Sequence, residues 1–154
     1  MSVFLSDEQD EVVDAADLRR FAEFVLAAEG LPEGTEMAVI LVSPDQIAEY
    51  NREFMDREGP TDVLSFPLQD LEPGRVPVHM ANEPPFSLGD VFICPAEARR
   101  RVEPEGGTLE DYLYLLVVHG ILHLLGYDHG DDGAADAMED REAELLGDFG
   151  RPVE

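Results

Sequence analysis

The sequence predicts one α+β domain spanning residues 1–154, with a four-stranded mixed β-sheet packed with about five helices. Three observations predict it. Short apolar runs rich in β-branched residues are interspersed with longer stretches of helical periodicity. There are no internal repeats and no linker. Near the C-terminal end lies a run that is apolar almost all round, as expected of a helix buried in the middle of a domain. At 17.0 kDa the chain is long enough to bury about two-thirds of its unfolded surface.

Taken in order, residues 2–6 read as a short strand. Residues 14–28 read as an amphipathic helix with Leu18, Phe21, Val25 and Ala28 on its inner face and Gly30 at its stop. Residues 37–42 form an apolar run too short for most helices, hence a buried strand. Ser43, Pro44 and Gln46 supply a capping box and a first-turn proline. The helix they start has Ile47, Tyr50 and Phe54 inward and ends at Gly59-Pro60. Residues 61–68 read as a third strand, with Pro67 marking an edge or an end.

Residues 69–87 carry Pro73, Pro77, Pro84 and Pro85 without periodicity, a proline-rich loop long enough to be functional or mobile. Residues 88–94 give the fourth strand, and Pro95 opens a short helix that Gly106-Gly107 breaks. Thr108 then caps the apolar helix, which runs to Leu125. Asp132 is the expected cap of a last helix over 133–146, with Ala135, Met138, Glu142 and Leu145 inward.

Thirty-five acidic residues face ten basic ones, all arginine, for a net charge of −25. Such a surface repels nucleic acid at long range and by itself favours another class of substrate. Solubility, a salty cytoplasm and codon bias would each account for it. No apolar run reaches the ~20 residues that span a membrane. The first residues lack the basic start and apolar core of a signal peptide. The single cysteine, Cys94, excludes an internal disulfide. The expectation is a cytoplasmic protein.

Three of the four histidines fall within residues 119–129, HGILHLLGYDH. His119 and His123 are four apart in the apolar helix, so both rings project from one face. Gly126 provides a positive-φ stop that turns the chain back and brings His129 towards the same point. Three neutral imidazoles make a tetrahedral zinc site with one position open, as in catalytic rather than structural zinc. Imidazole sites also accept nickel or copper.

The spacing coincides with the zincin-type protease helix H-E-x-x-H-x-x-G-x-x-H, except that Gly120 stands where the general-base glutamate belongs. Peptide hydrolysis therefore lacks its base. Phosphodiester cleavage stays open, since zinc activates water without that carboxylate and RNA carries a 2′-hydroxyl of its own.

HGILHLLGYDH, together with GPTDVLSFP (59–67) and LGDVFICP (88–95), resembles the YbeY family of bacterial metal-dependent endoribonucleases, in the family's order and spacing. The likeness extends from about Val3 to the last helix, where Met138 and Glu142 match a Met-x-x-x-Glu pattern. It implies an α+β fold with a four-stranded sheet and one zinc ion per chain on His119, His123 and His129. It implies cleavage of single-stranded ribosomal RNA, in maturation of the small-subunit 3′ end and in ribosome quality control. The implied partners are small-subunit ribosomal proteins and a ribosome-assembly GTPase, with no membrane. Many members carry an arginine directly after the aromatic residue that Phe54 matches, where this chain has Met55. Either Arg52 or Arg57 substitutes or the role is absent, and Arg57, beside the Gly59-Pro60 turn, is the expected phosphate ligand unless it is simply a solvated helix-end residue.

Other residues have two readings each. Asp128 is a candidate for catalysis or for fixing a histidine tautomer, against a plain turn residue. Arg99, Arg100 and Arg101 either meet the RNA backbone or are neutralised by Glu97, Glu103 and Glu105. Asp62 reads as a cap or turn acceptor before a site-orienting group. Tyr127 and Met138 read as packing, Cys94 as a small buried residue, and His79 as an exposed loop histidine. Two rival functions remain. A metallohydrolase of peptide or small-molecule bonds needs a replacement base, and a non-catalytic assembly factor with structural zinc needs a fourth ligand.

Overall fold

The computed structural model describes residues 1–75 and 84–152. The element order is β1 (Ser2–Asp7), α1 (Ala15–Ala28), β2 (Thr35–Leu41), α2 (Pro44–Met55), β3 (Val63–Pro67), β4 (Phe86–Ile93), α3 (Pro95–Val102), a 3-10 turn (Glu103–Glu105), α4 (Leu109–Leu124) and α5 (Asp132–Phe149). The sheet runs β1-β2-β4-β3, with β1, β2 and β4 parallel and β3 antiparallel to β4. It is the mixed four-stranded sheet that the sequence predicts. Helices α1, α4 and α5 share the larger core with one sheet face, while α2 covers the other through Val42, Ile47, Leu64 and Cys94.

Local chemistry sets most boundaries. Asp14 caps α1 through the amide of Asp17, and Ser43 and Gln46 form the reciprocal capping box of α2. Helix α2 stops earlier than Gly59-Pro60 suggests. Asp56 takes a left-handed conformation at φ 52° and closes the helix. The last helix is capped by Asp131, not Asp132, because Asp131 has the extended backbone from which a side chain reaches the amide of Ala134. It also runs to Phe149, whose ring packs on Phe21 and Phe24. Two inward assignments are corrected. Ala28, at the frayed end of α1, is exposed, and Ala22 and Leu26 fill the core instead. Phe54 is 62% exposed although Ile47, on the same helix face, is fully buried.

Strand β4 breaks the two-residue alternation. Between the Glu36–Ser87 and Ala38–Asp90 pairs it carries one extra residue, a bulge that lets Leu88 and Val91 face the same core. Gly89 sits in the bulge at φ 129°, with its α-carbon pressed against the Phe66 carbonyl, where no side chain fits. This brings β3 and β4 flush beneath α4. Asp62, just before β3, fixes the same junction. Its buried carboxylate accepts from the Tyr112 hydroxyl of α4 at 2.5 Å and pairs with Arg101 of α3 at 3.1 Å. Its carbonyl accepts from the Cys94 amide. Asp62 therefore ties two helices to the sheet rather than only shaping its own turn. Met138 and Cys94 are buried as expected. His79 lies outside the described residues.

Candidate metal centre

Helix α4 places His119 and His123 one turn apart at its C-terminal end. Between them, Gly120 faces the sheet. A β-carbon there would lie 2.5 Å from Val91 Cγ1 and 3.3 Å from Ser65 Oγ, and Ser65 donates its hydroxyl to the Gly120 carbonyl at 3.2 Å. The residue that replaces a protease base is thus also a point of close contact between helix and sheet. The helix ends when Gly126 turns at φ 96° against the Leu71 backbone, leaving no room for a β-carbon. The reversed chain delivers His129, so that one ring nitrogen from each histidine lies within 4.8 Å of the others.

The hydrogen bonds assign the tautomers. His123 Nδ1 lies 3.0 Å from the Tyr127 carbonyl, which only accepts, so Nδ1 carries the proton. His119 Nδ1 donates to Oε2 of the buried Glu142 carboxylate at 2.6 Å. Both Nε2 atoms are then left with lone pairs, and they face one another at 3.1 Å. Two lone pairs so placed repel unless a cation lies between them. Nitrogens bound tetrahedrally at ~2.0–2.1 Å would be separated by ~3.3 Å, so the donor set fits a metal ion such as zinc. Burial, with the His119 ring beside it, pushes the His123 pKa below its ordinary range and favours the neutral, ligating form.

The histidines open into a cleft of about 330 Å³ walled by Val63, Leu64, Ser65 and Pro67 of β3. Among the described residues its lining has no carboxylate to serve as a replacement base, and the cluster has no fourth ligand. Asp128 is exposed, and its carboxylate accepts from the backbone amide of His129 at 2.7 Å.

The model of the family described as Endoribonuclease YbeY matches residues 4–150. The chain belongs to the YbeY endoribonuclease family. It is 41% identical over 147 residues to Endoribonuclease YbeY of Acidothermus cellulolyticus, covering 95% of this chain and 90% of that one. To the Thermobifida fusca protein of the same name it is 39% identical over 154 residues, covering 100% and 97%. A solution structure of a Thermotoga maritima protein matches with a TM-score of 0.62 at 27% identity, over 96% of this chain and 91% of that one.

The remaining predicted residues of this YbeY-family chain are dispersed. Arg99 bonds Glu11 and Glu103, Arg100 bonds Glu97, and Arg101 bonds Asp62, so all three guanidiniums face carboxylates. Arg57 is exposed and has no ion-pair partner among the described residues. Its amide bonds the Asn51 carbonyl, and the Asn51 side chain donates to the Gly59 carbonyl, which pins the turn before β3. Sequence reading missed Ser65 as a cleft wall, the Tyr127 carbonyl as a tautomer-setting acceptor, and the contact of Glu142 with His119. The signal for Glu142 was present: an acid on the inward face of a helix needs a partner.

Proposed function

We propose that this chain is a zinc-dependent endoribonuclease that cleaves single-stranded RNA in maturing the 3′ end of the small-subunit ribosomal RNA. As a YbeY-family member with a histidine cluster it is a metal-dependent endoribonuclease of ribosomal RNA processing with ribosome-related partners. The observation that carries the finer reading is the pair of Nε2 lone pairs held face to face, with His129 beside them and no fourth protein ligand among the described residues. His119, His123 and His129 would hold one zinc ion per chain, which when bound would supply Lewis-acid chemistry for water activation and for charge on the scissile phosphate.

The chain's own residues do the rest. Glu142 and the Tyr127 carbonyl hold the two helix-borne rings in the ligating tautomer. Val63, Leu64, Ser65 and Pro67 wall the cleft into which the histidines open. Arg57, free of carboxylate partners among the described residues, takes a substrate phosphate, and replacing it with alanine lowers RNA affinity. Arg99, Arg100 and Arg101 reach RNA only by giving up their acids, so removing them changes the salt dependence of binding less. Small-subunit ribosomal proteins and a ribosome-assembly GTPase are the proposed partners, in the cytoplasm, offsetting a charge of −25 that alone repels RNA.

The test is cleavage of a labelled fragment of the ribosomal RNA 3′ end by metal-stripped, zinc-reloaded and His123→Ala protein. Cleavage that zinc restores and the variant lacks supports the reading. Tight zinc binding without cleavage in any sample overturns it in favour of a structural metal.

A further inference from the structure

Eight of the ten arginines lie against carboxylates: Arg19, Arg20, Arg75, Arg141 and Arg151 in addition to the three on α3. In a chain with 35 acids this is the expected outcome. Arg52 and Arg57 are the exceptions among the described residues, and they bracket the chain's most exposed aromatic of helix α2, Phe54. Its chain neighbour Met55 is 37% exposed. The Phe54 ring is not loose. It stands edge-on to Phe66 at 5.5 Å, Phe66 is edge-on to Phe92 at 5.5 Å, and Phe92 packs on Tyr50 at 4.8 Å. A ring braced from within and open outward, in a segment whose two arginines have no ion-pair partner among the described residues, matches how single-stranded nucleic acid is held: bases stack on aromatic faces and arginines take the phosphates.

Its place in the fold connects it to the histidines. Strand β3 is the edge of the sheet, and successive residues point to opposite faces. Val63, Leu64, Ser65 and Pro67 wall the cleft, while Leu64 and Phe66 also belong to the smaller core that holds Ile47 of α2. Strand β3 therefore borders both surfaces. A flexible strand that turns over this edge meets both.

We infer that Phe54, with Arg52 and Arg57, is a stacking platform for an unpaired base of the RNA that enters the cleft. The inference rests on the endoribonuclease reading and adds to it a second binding surface bordered by β3. A protein partner on the same patch is the competing outcome.

The test uses metal-loaded protein mixed in a stopped-flow with a single-stranded RNA carrying 2-aminopurine at successive positions, read by anisotropy and by fluorescence quenching. Wild type quenches the probe at one position. Phe54→Ala abolishes that quenching and weakens binding roughly 5- to 150-fold, while Phe54→Tyr restores both. Replacing Arg52 and Arg57 together lowers the slope of log affinity against log salt by about 1.4. The exposure of Phe54 makes folding of these variants a minor concern, and an unchanged melting temperature checks it. Quenching and affinity in Phe54→Ala equal to wild type, with cleavage intact, overturn the platform and leave the endoribonuclease standing. In that case the patch serves a protein. Wild type that neither binds nor cleaves the RNA overturns both.

Discussion

The histidine cluster is built in two halves that differ in how firmly they are held. His119 and His123 sit on α4, half-buried, each with its Nδ1 engaged and its Nε2 aimed at the centre. His129 sits on the turn after Gly126, exposed, with no hydrogen bond to its ring nitrogens among the described residues. The helix half is organised by packing and hydrogen bonds before any ion arrives. The turn half relies on the ion to complete it, as expected where metal binding and local ordering are coupled.

The largest effect tests that division directly. His123→Ala should reduce bound zinc from one per chain to near zero by elemental analysis and abolish RNA cleavage. His129→Ala should still bind zinc, more weakly. Equal loss in the two variants breaks the comparison. Next comes the hinge between the halves. Gly126→Ala forces a side chain into positive φ and against the Leu71 backbone. A cost of about 2 kcal/mol lowers the melting temperature by roughly 4–8 °C in a chain of this size. Zinc affinity should fall with it, because His129 is displaced.

Glu142→Gln sharpens the picture of the helix half. It keeps the shape but loses the charge on His119, and zinc affinity measured by competition with a chromogenic chelator should fall about 10- to 100-fold. An unchanged affinity would mean that packing alone orients the ring. The smallest effect is expected at Asp128, whose carboxylate is occupied by the His129 amide. Asp128→Asn keeps an oxygen acceptor there, so cleavage rates should change less than about threefold. A loss of a hundredfold or more would restore Asp128 to the catalytic group.

Much of this was legible from the chain. The i, i+4 histidines and the following glycine are local signals, because helical geometry alone puts two rings on one face and a positive-φ residue alone turns the chain. The cap at Ser43, the buried strand of β2 and the apolar α4 are read the same way. What was not legible involves partners distant in sequence. Glu142 lies 23 residues from His119, and Tyr112 lies 50 from Asp62. The arginines of α3 reach Glu11 and Asp62 as well as their own helix. The exposure of Phe54 escaped periodicity, since its spacing marks it for the inner face, whereas its ring meets only Phe66 of the edge strand and Tyr50 of its own helix and stays 62% exposed. Gly120 is the clearest case. In the sequence it is a missing base, whereas in the fold it is also a contact surface for Val91 and Ser65.

The sequence by itself determined the elements, the three clustered histidines and the turn between them, because each follows from interactions within about one helical turn of chain. Only the tertiary structure decided which ring nitrogen of His119 and His123 keeps its lone pair, which arginines lack a carboxylate partner among the described residues, and that one edge strand both walls the cleft and supports Phe54. Those features depend on which side chains meet across the sheet, and packing between distant segments is not encoded in local periodicity.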